Sequence, residues 1–116
     1  MAKRKGPEKE IETDILDYLK AKGVFCWKVD RQGTFDPVRK TFRRNNNPHK
    51  IKGVSDILGM VKGRFIAIEV KSKRGVVSPE QRVFLANVNH EGGAGFVARS
   101  LDDVKINLKT IFPEMF

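Results

Sequence analysis

One cysteine, Cys26, is all that 116 residues contain, so no internal disulfide can staple the chain. With no signal-peptide pattern ahead of the first helical stretch, the expected setting is a reducing cytoplasm. Cys26 sits in an apolar run beside Phe25 and Trp27 and reads as a buried thiol without chemistry. Histidine is almost as scarce: neither His49 nor His90 has a ligand partner at zinc spacing, which removes a zinc site. No apolar run approaches the roughly 20 residues that span a bilayer, so no membrane partner is expected. Negative charge is also short, 14 acids against 23 bases, for a net charge of +9 and a pI near 9.9. A surface of that kind seeks an anion, and nucleic acid is the commonest one. Nothing repeats and no second composition appears, so the length makes one domain.

What is present is concentrated in residues 53–71. Two apolar runs, 57–61 and 65–70, flank Lys62-Gly63, where glycine supplies the positive φ of a tight hairpin turn. With a two-residue loop, Val61 pairs with Arg64, and each outward step keeps the paired numbers summing to 125, which sets Asp56 opposite Glu69. Like charges so placed destabilise a sheet and need a compensating partner. Lys71 shares the face of Glu69 by strand alternation, while Ile66, Ile68 and Val70 turn to the core. A carboxylate pair beside an ammonium suits a hard cation such as Mg²⁺ or Mn²⁺, with Lys71 near an attacking water, and phosphodiester hydrolysis is the implied reaction. The plainer alternative makes Asp56 a turn cap and Glu69 with Lys71 a solvated ion pair.

Gly53-Val-Ser-Asp56-Ile-Leu, then Ile68-Glu69-Val70-Lys71, then Ser78-Pro79-Glu80-Gln81 resemble the VRR-NUC nucleases, a branch of the PD-(D/E)XK superfamily. The likeness runs from the first helix to the last, with Ser55 standing where a proline is common. The resemblance implies a restriction-endonuclease-like α/β fold, a mixed central sheet flanked by helices. It implies Mg²⁺ or Mn²⁺ at Asp56 and Glu69, assisted by the Val70 carbonyl, a catalytic role for Lys71, and a first-helix glutamate at the centre. Glu12, deeper in the helix, is favoured for that glutamate, with Glu8 in contention; either can instead be a first-turn acid complementing the helix dipole. Stand-alone relatives of this kind occur in phages and bacteria and tend to cut branched DNA such as Holliday junctions as homodimers.

Along the chain, residues 1–7 form a basic arm and 8–116 the domain. A helix is expected from Glu8 to about Lys22, with Ile11, Ile15, Leu16, Tyr18 and Leu19 at helical spacing and Gly23 as its stop. Residues 24–29 read as a short strand beside the hairpin. Residues 28–52 hold eight Lys or Arg against two Asp, a long polar loop at about 30–52 that leads into Gly53. Its Arg39, Lys40, Arg43, Arg44, Lys50 and Lys52, with Lys73 and Arg74 of the basic turn after Lys71, are the expected DNA-phosphate contacts, and Phe35 and Phe42 are candidates for stacking on bases. Ser78-Pro79-Glu80-Gln81 is a capping box, in which Gln81 bonds back to Ser78; the resemblance sends the same glutamine to the active site. A strand at 95–99 and a helix from Ser100, stopped by Pro113, complete the order helix, strand, hairpin, helix, strand, helix.

The expected function is therefore a metal-dependent endodeoxyribonuclease, catalytic through Asp56, Glu69, Lys71, Glu12 and Gln81. A basic nucleic-acid-binding module that keeps the fold without turnover, or a restriction-type nuclease, are the alternatives. Two acids facing a polyanion argue against the module. A domain of this size has one centre, so paired cuts would take two protomers, for which closed two-fold pairing is usual.

Overall fold

Proline lacks the N–H that a first helical residue leaves unpaired anyway, and Pro7 accordingly opens the first helix, α1 (Pro7–Ala21). In the computed structural model the described residues are 6–30, 38 and 48–116 in full, and 34–36 and 41–43 as backbone. The elements that follow are β1 (Phe25–Lys28), β2 (Thr34–Asp36), β3 (Thr41–Arg43), β4 (Ile57–Val61), β5 (Arg64–Val70), α2 (Pro79–His90), β6 (Ala94–Ala98) and α3 (Leu101–Ile111). The basic arm lies outside the described residues, apart from its junction with α1.

Four strands form one mixed sheet in the order β1-β4-β5-β6. β1 and β5 run antiparallel to β4, and β6 runs parallel to β5, the helix α2 making the crossover. Alternation along β5 divides the core into two layers. Ile66, Ile68 and Val70 pack with Ile57 and Val61 against Ile15 and Leu19 of α1 and Val104 and Leu108 of α3. Ala67 turns the other way, against Leu85 and Val88 of α2. Burying each such aliphatic side chain is worth about 1.5–3 kcal/mol, so this layering holds the sheet ends in place. The result is the α/β architecture expected, a mixed sheet flanked by helices.

The stretch read as a loop at about 30–52 is not all loop. β2 and β3 pair antiparallel, Thr34 with Arg43 and Asp36 with Thr41, as a separate two-stranded sheet. Strands of three residues are too short to show an alternation of apolar and polar side chains, which is why the pattern hid them.

Candidate active site

Lys62 and Gly63 both take positive φ, 51° and 79°, the type I′ geometry whose twist matches the flanking strands. The turn holds the expected register from Val61 opposite Arg64 to Ile57 opposite Ile68. One step further out the ladder changes character. The Val70 N–H donates to Asp56 Oδ2 at 2.7 Å, and the Asp56 carbonyl accepts from the Val29 N–H at 2.8 Å. Asp56 is thereby tied on one side to β5 and on the other to the end of β1. An extended residue directs its N–H and C=O toward the same neighbour, so the Val70 carbonyl faces the Asp56 side of β5.

Glu69 points into the α2 layer and is 1 % exposed. Burying a carboxylate is costly unless it is hydrogen-bonded and paired, and both conditions are met here. Gln81 Nε2 donates to Glu69 Oε1 at 2.9 Å, and Lys71 Nζ stands 3.8 Å from the same oxygen. Gln81 can serve because its other end is already engaged. Its Oε1 accepts from the Ser78 N–H at 2.9 Å, while Ser78 Oγ accepts from the Gln81 N–H at 3.2 Å. One amide makes both the capping box and the contact with the buried acid, its oxygen toward the cap and its nitrogen toward Glu69.

The approach to Asp56 is held by close packing. Gly53 has φ +74°, and a Cβ there would lie 2.4 Å from the Glu80 carbonyl carbon and oxygen. Only a glycine lets this turn rest on the first residues of α2. Ser55 is fully buried, and its Oγ has no hydrogen-bonding partner among the described residues. An apolar residue would suit that place, which is where proline is common in the resembling nucleases.

After Lys71, the turn at 72–75 is clamped from two sides. The Ser72 N–H donates to Glu8 Oε1 at 3.2 Å. Arg99 Nη1 donates to the carbonyls of Ser72 at 2.7 Å and Gly75 at 2.8 Å. Glu12, by contrast, pairs with Lys28 of β1, Glu12 Oε1 to Lys28 Nζ at 3.2 Å, and that contact holds the Lys28 ammonium above its ordinary value. Of the two first-helix acids, Glu8 is the one brought to the segment that follows Lys71. Arg99 went unnoticed in the sequence, because its partners lie more than 20 positions away and no spacing rule reaches that far.

Lys50, Lys52, Lys73 and Arg74 lie outside the sheet and helices, and all four are exposed. Arg43 is in β3, its side chain outside the described residues, as are those of Phe35 and Phe42; Arg39, Lys40 and Arg44 lie outside them altogether.

Comparison with protein families decides what this arrangement belongs to: the model described as VRR-NUC domain matches residues 7–102. The chain belongs to the VRR-NUC family. The match takes in α1, the β4–β5 hairpin, α2 and β6, and so every residue of the constellation above. No match was found among curated proteins or solved structures. Membership brings a nuclease-type function and a restriction-endonuclease-like fold. Among the described residues no helix is long and apolar enough to cross a membrane.

The donor set of this VRR-NUC domain suits a hard divalent cation. Asp56 and Glu69 offer carboxylate oxygens and Val70 a carbonyl oxygen, the atom type such a cation takes; among the described residues no group of three or more His, Cys, Asp or Glu gathers. Mg²⁺ asks for little more, since it is held through one or two carboxylates and keeps waters and substrate phosphate oxygens for the remaining positions.

Proposed function

We propose that this VRR-NUC domain is a divalent-cation-dependent endonuclease that hydrolyses phosphodiester bonds in DNA, with branched DNA such as a four-way junction as its preferred substrate, and that it works as a homodimer. The observation that carries the reading is the buried Glu69, tied to Gln81 and set 3.8 Å from Lys71, at the sheet end where Asp56 is anchored to Val70. A surface that merely bound a polyanion would gain nothing by gathering acids there.

In this reading Asp56, Glu69 and the Val70 carbonyl hold Mg²⁺ or Mn²⁺, which when bound supplies Lewis acidity toward the phosphate and water acidic enough to react near neutral pH. Gln81 fixes the rotamer of Glu69. The Lys71 ammonium donates to the attacking water at Nζ and steadies negative charge gathering on the phosphate. The bond from the Ser72 N–H to Glu8 supports Glu8, rather than Glu12, as the first-helix acid of the centre. Lys50, Lys52, Lys73 and Arg74, with Arg39, Lys40, Arg43 and Arg44, are the phosphate contacts. The net charge of +9 supports them as a group.

The test incubates labelled four-way junction, duplex and single strands with the protein in Mg²⁺, Mn²⁺ or chelator, beside Asp56→Ala and Lys71→Ala. Cleavage that needs the cation and disappears in both variants is expected. Tight binding without cutting, indifferent to both substitutions, would overturn the reading.

A further inference from the structure

We infer that Phe25 and Trp27 form a stacking platform for unpaired bases of the DNA, on the face of the sheet that also carries Glu69; the inference rests on the nuclease reading above and adds to it a substrate feature. Along β1 the side chains alternate. Cys26 goes inward to the α1 layer, so Phe25 and Trp27 emerge on the opposite face, 69 % and 40 % exposed, with ring centroids 5.3 Å apart.

The register continues this surface across the sheet. Phe25 is paired with Met60, itself 42 % exposed, and Met60 with Phe65. Phe65 then lines an open cavity of about 300 Å³ with Phe84, Val88 and Ile51. Among the described residues helix α2 packs chiefly on the β5–β6 half of this face. Exposed aromatics in such a row mark an interaction surface.

Charge and position select the partner. Ile51, at the cavity wall, is flanked by the exposed Lys50 and Lys52, and the turn beside Met60 carries the exposed Lys62. Aromatic rings bordered by cations are what single-strand binders use, the cations tracking phosphates and the rings stacking bases of any identity. A second copy docked here by the same face would bring its own Lys50, Lys52 and Lys62 to a patch that already carries them. Trp27 is paired with Leu58, two residues along β4 from Asp56, about 7 Å at the rise of an extended strand. A base resting on Trp27 thus belongs to a nucleotide close to the phosphate held at Asp56 and Glu69. Duplex DNA keeps its bases stacked inside, so the platform favours DNA whose strand is unpaired next to the cut.

Trp27 is the only tryptophan in the chain, so its fluorescence reports on the platform directly. With chelator present to prevent cutting, the protein is titrated with a short oligodeoxythymidylate and with a blunt duplex, and the titration is repeated for Phe25→Ala. The expected result is saturable quenching by the single strand, weaker quenching by the duplex, and roughly tenfold weaker single-strand binding in the variant, within the range for losing one stacked base. Binding of the single strand by anisotropy without quenching, or with unchanged affinity in Phe25→Ala, overturns the platform. Emission that depends on protein concentration alone, with sedimentation showing a dimer that Phe25→Ala dissociates, overturns it in favour of a second copy. Wild-type cleavage in Mn²⁺ separates the two readings: cutting without a platform signal leaves the nuclease standing, and a platform signal without cutting leaves only the binding surface.

Discussion

Gln81 donates to Glu69 across 2.9 Å while its carbonyl oxygen closes the cap of α2, so the start of one helix and the orientation of one buried acid depend on the same amide. Gln81→Glu separates the two duties. Glutamate at the third helical position still completes a capping box, but it sets a second carboxylate against Glu69. We expect a lower Tm in chelator and recovery of much of the loss in millimolar Mn²⁺, read by thermal unfolding in both conditions. An unchanged Tm in chelator would mean that the amide contact is not made.

Asp56→Asn keeps an oxygen that can accept from the Val70 N–H but removes the charge. Stability should fall by no more than about 1 kcal/mol, the net worth of an ordinary hydrogen bond, while hydrolysis falls at least a hundredfold. Urea unfolding beside a cleavage assay checks the pair of outcomes.

Arg99→Ala releases the carbonyls of Ser72 and Gly75 from the turn behind Lys71. Arg99 touches none of the reacting groups in this reading, so it acts by positioning. The expected signature is a kcat lowered about tenfold with KM for DNA little changed, and Arg99→Lys restoring part of the rate. A loss confined to KM would instead make Arg99 a DNA contact.

Two glycines with positive φ distinguish strain from collision. Gly23 has φ +75° and open space around it, so Gly23→Ala costs about 1 kcal/mol of backbone strain. Gly53→Ala adds a clash with the Glu80 backbone and should cost at least twice as much, and activity should fall because Asp56 follows three residues on. Equal Tm losses would contradict the packing of this turn on α2.

Burial pushes the Cys26 thiol above its ordinary value of 9.0, against the opposing charge of Lys20. A raised thiol pKa leaves stability intact below the unfolded value and erodes it as pH climbs toward the folded one. Alkylation at pH 8 should therefore be slow in the native protein and rapid in denaturant. Rapid native labelling would place Cys26 at the surface.

Much of this site could be read from residue order because its main contacts are local. Lys62-Gly63 set the pairing of 57–61 with 64–68, and the Ser78 box lies within four residues. Helical spacing says which stripe of α1 faces the sheet, not which turn meets the end of β5, so residue order leaves both Glu8 and Glu12 open. Those two residues share a stripe four positions apart, about 6 Å along the axis. Arg99 escaped for a related reason: its partners come from a segment brought alongside by the parallel pairing of β6 with β5, a contact no local pattern encodes. The β2–β3 ladder was missed because a basic stretch without alternation looks like any solvated connection.

The chain leaves the main sheet at Lys28 and returns at Ile57, which are direct partners in the ladder, and the bond from the Val29 N–H to the Asp56 carbonyl closes the base of that excursion. Because the two ends are already pinned together, lengthening or exchanging the intervening segment costs little closure entropy, about 0.6 kcal/mol per doubling. Segments grafted there from other proteins should retune which nucleic acid is chosen while the hydrolytic apparatus stays untouched, which makes this position a natural port for engineering.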